Sequence, residues 1–332
     1  MSTRFALACS ALAALGLAVV VQAAAASDPT PERPVPVAAG QGSTSAVRPV
    51  AGRAPGPTPA CNQQNVLASL RPQGPLLTPG QMPAGSTMAR IAKRGYLIVG
   101  VLQDIPPLAS RDLNRQLVGF DIDVARDIAE AIFGDRDPGR VVFQPLPEAD
   151  RYATVRSGQV DLTVAAATIT CLLRDQVDFS AVYYQAGQRV LVNGDSGFTG
   201  IDDLGGKRVC AASGSTSLMH IQAAASKPVP VSTATETDCL RLLQLGEIDA
   251  VSTDDTILAG MKAQDLRTQV VGPQFREEPY GVAINKNTPD LVRFVNAVLA
   301  RRIEDGRWLA SYQKWLKPLG PAPAPPTPQY QD

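Results

Sequence analysis

Four short polar clusters in this chain each follow an apolar run, and their residue types suit the capture of a small charged molecule. Gln103-Asp104 follows Tyr96–Val101, and Ala166-Ala167-Thr168 follows Gln159–Ala165. Ser213-Gly214-Ser215-Thr216-Ser217 follows Lys207–Ala212, and Thr253-Asp254-Asp255 follows Glu247–Ser252. Hydroxyl groups and the free backbone N–H groups of a helix start suit an anion. A carboxylate suits an ammonium group, to which it makes a charge-assisted hydrogen bond. Asp104 is also the candidate for a general acid, should the chain do chemistry rather than bind.

Other chemistries lack parts. Gly194-Asp195-Ser196-Gly197 spells a serine-protease nucleophile string, but the histidine base of that triad precedes the serine, and the sole histidine, His220, follows it. His220 has Ile221 beside it in a predicted helix and reads as a surface or half-buried residue. No glycine-rich phosphate loop with its lysine is present. Asp254-Asp255 has no third metal ligand near it in sequence, so no metal or other cofactor is expected.

The polar clusters need a scaffold, and the flanking sequence describes one. Gly119 permits a turn, Asp121 is placed to cap a helix, and Asp123 lies where the helix dipole favours negative charge. Phe120, Val124, Ile128 and Ile132 recur at four-residue spacing, giving that helix one apolar face. A second helix over Ala149–Ser157 stops at Gly158, and a strand follows. The same order returns later as a helix over Asp238–Leu245, a stop at Gly246 and a strand from Glu247. The strand Tyr96–Val101 is likewise echoed by Lys207–Ala212. Alternating short apolar strands and helices predict α/β architecture, with largely parallel sheets covered on both faces. The two echoes predict two lobes, and ligands of such sheets bind beyond the carboxyl ends of strands. The last long helix is capped by Thr288, has Pro289 in its first turn, and buries Leu291, Phe294, Val295, Val298 and Leu299. Trp308, Tyr312 and Trp315 form a second apolar anchor.

The ends read differently. Arg4, the uncharged run Phe5–Val21 and Ala24-Ala25-Ala26 make residues 1–26 a cleavable export signal. Cys9 lies inside that run and none sits at its end, which gives no lipoprotein site. Residues 27–85 read as a tether, with Ser27–Ala60 rich in Pro, Ala, Gly, Ser and Thr and without apolar periodicity. Residues 318–332 form a proline-rich tail. The 31 basic and 31 acidic residues cancel and leave no basic stripe, so nucleic acid is excluded as a partner. Four cysteines remain after the signal, and an exported chain with an even count predicts two disulfides. Spacing favours Cys210–Cys239, a strand end and a helix start in one lobe, with Cys61 left to join Cys171.

The string Gly119-Phe-Asp-Ile-Asp-Val, with Ile128-Ala129 and Ile132 at fixed offsets, resembles the signature of family 3 extracellular solute-binding proteins. The ending, a long helix, then Asp305-Gly306 and Tyr312-Gln-Lys-Trp-Leu316, resembles the same family. The resemblance covers about Gly95 to Leu316, two-thirds of the chain. It implies a two-lobed type II periplasmic-binding fold with lobe 1 at 86–184 and 280–317, and lobe 2 at 185–279. Two hinge crossovers would lie near Tyr184–Gly187 and Glu278–Gly281. It also implies a monomeric receptor for a polar amino acid such as glutamine, glutamate or aspartate, which it delivers to an ABC permease. The same fold also serves ligand sensors that signal to a membrane partner, and dehydratases of the cyclohexadienyl or arogenate type.

The resemblance assigns Asp254 to the α-ammonium group and Thr168 to the α-carboxylate, with a backbone N–H of Thr216 on the same carboxylate. Ala166 and Ser217 flank those residues in the expected site. A simple helix cap is the alternative role of Asp254, and an N-cap cluster that of Ser215–Ser217. Three positions depart from the family pattern. Leu173 stands where the carboxylate-clamping arginine is expected, Leu102 where an acid is expected, and Ile105 where an aromatic ring stacks on the ligand. Either Arg174 or Asp104 turns into the cleft instead, or the ligand is not an ordinary α-amino acid.

Overall fold

The computed structural model describes residue 61 and residues 64–331; the export segment and residues 27–60 of the tether lie outside the described residues. Apolar residues alternate with turns along the chain in a way that builds two separate sheets. The first, in lobe 1, has the order β5 (Val141–Pro145), β1 (Leu97–Val101), β6 (Leu162–Thr163), β13 (Ala283–Ile284) and β7 (Asp178–Phe179). β1 runs parallel to β5 and β6, and β13 runs antiparallel to β6 and β7. The second, in lobe 2, has the order β10 (Val229–Thr233), β9 (Arg208–Ala212), β11 (Ala250–Asp254), β8 (Tyr184–Asn193) and β12 (Thr268–Tyr280). Its parallel strands β9–β11 continue into antiparallel β8 and β12. A small antiparallel sheet of β2 (Asp104–Ile105), β3 (Ala109–Arg111) and β4 (Leu117–Val118) sits beside lobe 1's first helices.

The helices are α1 (Thr87–Arg94), α2 (Phe120–Phe133), α3 (Arg151–Arg156), α4 (Cys171–Arg174), α5 (Thr216–Gln222), α6 (Glu236–Gln244), α7 (Asp255–Gln264), α8 (Pro289–Glu304) and α9 (Arg307–Ser311). Leu97, Val99 and Val101 of β1, and Val209 to Ala212 of β9, are buried, as expected of parallel strands covered on both faces. The chain leaves lobe 1 along β8 and returns along β12. These two crossovers lie side by side, Tyr184 opposite Tyr280 and Gly187 opposite Glu277. The architecture is the two-lobed type II fold with two hinge crossovers. Phe120 of α2 anchors the hinge from lobe 1, with its ring 5.6 Å from Tyr184 and 6.3 Å from both Tyr183 and Trp308. Trp308 Nε1 donates to the Tyr183 carbonyl, which fixes the return segment at the same point.

Four details differ from the sequence reading. Asp121 caps nothing: the first N–H groups of α2 donate to the carbonyls of Pro107 and Leu108 instead. Its buried carboxylate accepts from the Ala166 N–H at 2.8 Å and the Tyr183 hydroxyl at 2.9 Å, tying α2 to the site loop and the hinge. Thr288 precedes α8, but its hydroxyl donates back to Asn285 O, and no side-chain cap forms. Residues 64–85 are packed on lobe 1, with Asn296 of α8 donating to Ser69 Oγ and to Leu70 O. The proline-rich tail returns to the same place, where Ser69 exchanges backbone hydrogen bonds with Gln329 and Gln331.

Burial pushes Asp121 up to about 6, so the folded protein keeps a proton that the unfolded chain has already lost. Stability from this group therefore falls as pH rises between about 4 and 6. Asp121→Asn is expected to flatten that slope, and denaturant midpoints measured at about pH 4 and pH 7 check it; the same pH response in both proteins would contradict the assignment.

Both disulfides form, Cys210–Cys239 within lobe 2 and Cys61–Cys171 between the N-terminal segment and α4. Cys210–Cys239 closes a loop of 29 residues, which contributes about 3 kcal/mol by restricting the unfolded chain. The double replacement of Cys210 and Cys239 by Ser is expected to lower the unfolding free energy by about that amount in urea titration.

Candidate functional site

The strand ends of the two lobes converge at the hinge. Thr168 leaves β6 and forms an isolated bridge with Tyr280, the last residue of β12. Across from it, β9 ends in a turn and α5 begins, with Ser215 as a true cap whose hydroxyl accepts from Leu218 N. That turn places the Thr216 hydroxyl 3.4 Å from the Thr168 hydroxyl, lobe 2 against lobe 1. The Thr216 proton has a nearer acceptor, Glu278 Oε2 at 2.9 Å. Ser217 donates to Thr253 Oγ1, which donates in turn to Glu236 Oε1, a chain of three buried residues crossing lobe 2.

Asp254 occupies the position before α7, yet its side chain makes no capping hydrogen bond. Oδ2 accepts from the Tyr280 hydroxyl at 2.5 Å, and Oδ1 has no partner among the described residues. Burial holds its carboxyl well above the usual range, and the nearby Glu278 charge adds to that. A carboxylate in such surroundings is stabilised by an incoming cation.

Of the remaining candidates, Asp104 lies at the seam between lobes. Thr237 of α6 donates to its carbonyl at 3.0 Å, while Asp104 Oδ2 has no hydrogen-bond partner among the described residues and burial raises its pKa. Ala166 has a φ of 47°, a left-handed conformation that L side chains rarely adopt. Both of its backbone groups are engaged, the N–H by Asp121 and the carbonyl by Arg151, so it shapes the site without offering a donor to it. Arg174 does not turn into the cleft. Its Nε donates to Val66 O and its guanidinium lies 5.8 Å from the Phe179 ring, at the sheet edge of lobe 1. Leu173 is buried in the apolar cluster of Val177 and Phe179, and Leu102 and Ile105 belong to the core.

The sequence reading missed four buried charged residues, Glu148, Arg151, Glu236 and Glu278. Arg151, at the start of α3, donates from Nε to Glu148 O, from Nη1 to Ala165 O, and from Nη2 to Glu148 Oε1 at 2.9 Å. Burial opposes its charge, but Tyr152, Glu148, Asp254 and Glu236 hold the guanidinium protonated. Glu236 opens α6 and is pushed up to about 8 by burial and by Glu148. Glu278 on β12 is fully buried, which a strand charge rarely is unless it has a task. The available signal was position: Glu236 at a helix start after β10, and Glu278 within the crossover. The concavity of about 300 Å³ lined by Leu76, Leu77, Met88 and Phe294 lies where residues 73–77 pack on α8, and it holds none of these carboxylates.

Comparison with known proteins agrees with this fold. The family described as bacterial extracellular solute-binding proteins, family 3, matches residues 97–318. The ABC transporter glutamine-binding protein of Bacillus subtilis (strain 168) is 34% identical over 233 residues, covering 70% of this chain and 85% of the relative. The glutamine-binding protein of Geobacillus stearothermophilus is 35% identical over 205 residues, covering 61% and 78%. Among solved structures, the solute receptor for L-cysteine of Neisseria gonorrhoeae aligns with a TM-score of 0.66 at 28% identity, covering 70% of this chain and 94% of that one. An ancestral arginine-binding protein bound to glutamine aligns with a TM-score of 0.62 at 34% identity, covering 67% and 98%.

Proposed function

Because this chain belongs to the bacterial extracellular solute-binding proteins of family 3, we propose that it is an exported, non-catalytic receptor that binds a polar amino acid between its lobes and presents it to an ABC permease. The observation that carries this reading is the meeting of Thr168 from lobe 1 with Thr216 from lobe 2, beside Tyr280 of the crossover, whose hydroxyl holds Asp254. A zwitterion needs both ends paired, because burying either charge alone costs several kcal/mol. Asp254 Oδ1 suits the ammonium group, while the Thr168 hydroxyl and the N–H groups at the start of α5 suit the carboxylate. Relatives named for glutamine and for glutamate and aspartate place such ligands within the chemistry of this fold. Export follows from the signal-like residues 1–26, and no helix of the described residues is long and apolar enough to cross a membrane.

A thermal-shift screen over the twenty amino acids tests the reading, since a solute at 100 times its Kd should stabilise the protein by about 2.7 kcal/mol. No shift with any of them would overturn it. Closure has its own test at Gly260. This residue lies inside α7 of lobe 2, and a Cβ there would stand 1.7 Å from the Pro106 carbonyl oxygen of lobe 1. Gly260→Ala should favour the helix by up to about 1 kcal/mol while stopping the lobes short of contact. The expected result is an unliganded melting temperature that is unchanged or higher, with affinity for the best amino acid of the screen reduced by at least about tenfold. Unchanged affinity would show that the lobes do not need to meet.

A further inference from the structure

We propose that the cleft is built for a small organic dication, with one positive nitrogen group at Asp254 and Glu278 and a second at Glu236 and Asp104. The inference rests on the receptor reading above and narrows its ligand. Its starting point is a pattern in the buried polar atoms. Four carboxylate oxygens lack hydrogen-bond partners among the described residues: Asp104 Oδ2, Glu236 Oε2, Asp254 Oδ1 and Glu278 Oε1. All four belong to the strand ends and helix starts of the cleft. The unpartnered buried donor nitrogens lie on Arg174, Arg301 and Arg302, outside it. Asp254, Glu236 and Glu278 are each more than nine-tenths buried, so an unpaired acceptor there asks for a donor from the ligand.

The protein's own cations do not meet that demand. Arg151 has all three nitrogens engaged by Glu148 and by the carbonyls of Ala165 and Ala166. His220 Nδ1 lies 3.0 Å from Glu278 Oε1 but 2.8 Å from Gln188 Oε1. The Gln188 amide nitrogen donates to Ser217 O and Ser252 Oγ, so its oxygen faces His220 and takes that proton. With that hydrogen directed at Gln188, the His220 contact makes no hydrogen bond to Glu278 Oε1, which has no donor among the described residues.

The surplus falls into two groups. Near the hinge are Asp254, held by Tyr280, and Glu278, held by Thr216. At the lobe seam are Glu236, held by Thr253, and Asp104, whose carbonyl receives Thr237, with Glu148 already matched by Arg151. A dicarboxylic amino acid would add negative charge to this interior, and a neutral side chain would leave the second group unpaired. Two cationic nitrogens relieve both. The acids are not gathered for a metal ion: among the described residues no three His, Cys, Asp or Glu side chains are arranged to hold one.

Two sources share this chemistry, basic amino acids and the diamines that lack the carboxylate. Isothermal titration of the full exported chain with L-arginine, L-lysine, agmatine, cadaverine, L-glutamine and L-glutamate separates them. The expected result is that at least one of the four dications binds tenfold or more tightly than glutamine or glutamate. Binding at pH 7 should also release protons, read as a dependence of the measured heat on buffer ionisation, because Glu236, faced by Glu148, Asp104 and Thr253, gives up its proton to pair with a cation. Arginine or lysine in that role supports both this inference and the amino-acid reading. Agmatine or cadaverine alone supports the inference and removes the amino-acid reading. Glutamine or glutamate bound as tightly as any dication overturns the inference and leaves the receptor reading standing, and no binding by any dication also overturns it. Glu236→Gln should weaken the bound dication at least tenfold while the unliganded melting temperature holds or rises; an unchanged affinity would remove the second group from the proposal.

Discussion

Asp254→Ala is expected to weaken binding of any ammonium-bearing solute by about 2–5 kcal/mol, roughly 30-fold to several thousand-fold in Kd. Its Oδ1 is one of four carboxylate oxygens of the cleft without a hydrogen-bond partner among the described residues. Its other oxygen is held by Tyr280, so the carboxylate is aimed before the solute arrives. The unliganded protein should respond in the opposite sense. Asp254 is buried beside Glu278, and deleting one of two neighbouring buried acids relieves their repulsion. A variant that melts no lower yet no longer binds would separate the ligand role from any structural one. Unchanged affinity, measured by titration with the best solute of the amino-acid screen, would contradict the account.

Arg151→Ala should act on stability instead. The guanidinium is buried and joins Glu148 to two carbonyls of the β6 loop, and it is the positive charge around which Glu148, Asp254 and Glu236 are arranged. Removing one partner of a buried pair leaves the other uncompensated, at about 3–5 kcal/mol. Burial and the neighbouring acids already raise the Glu148 pKa against the pull of Arg151, so without the arginine that acid is protonated still more readily. The loss in Arg151→Ala should therefore shrink at low pH and grow as pH rises above the ordinary carboxylate range. Arg151→Lys is not expected to rescue it, since one ammonium group cannot reach the four acceptors spread around the planar guanidinium. Urea titrations of both variants at about pH 5 and pH 8 check this; a loss under about 1 kcal/mol for Arg151→Ala would contradict the role assigned to the pair.

Much of the scaffold was legible because it rests on local rules. The stripe of Phe120, Val124, Ile128 and Ile132 is a face of α2, whereas the crossovers at Tyr184 and Tyr280 were implied by the family resemblance and not by a local rule. The cleft was legible only in part. Thr168 and Thr216 meet, and Tyr280, bridged to Thr168, holds Asp254. Glu148, Glu236 and Glu278 did not stand out, because a charge in a sequence reads as solvated unless its burial is known. Glu278 and Glu236 are held by residues distant in the chain, Thr216 and Thr253, and only Glu148 has its partner, Arg151, close by in sequence. Asp121 illustrates the opposite error. Its position before an apolar stripe spells a cap, yet the carbonyls of Pro107 and Leu108, out of view in any local window, had already satisfied the helix start. Arg174 failed for a similar reason, since its partner Val66 comes from a segment whose composition suggests no structure.

The central claim is that two lobes shut on a small charged solute at the Thr168, Thr216 and Asp254 junction. Small-angle scattering of the full exported chain, alone and with saturating L-glutamine, L-arginine or L-lysine in turn, tests it most directly. The account predicts a smaller radius of gyration with at least one of these solutes and no such change in Asp254→Ala. A radius that stays the same with all three would contradict it.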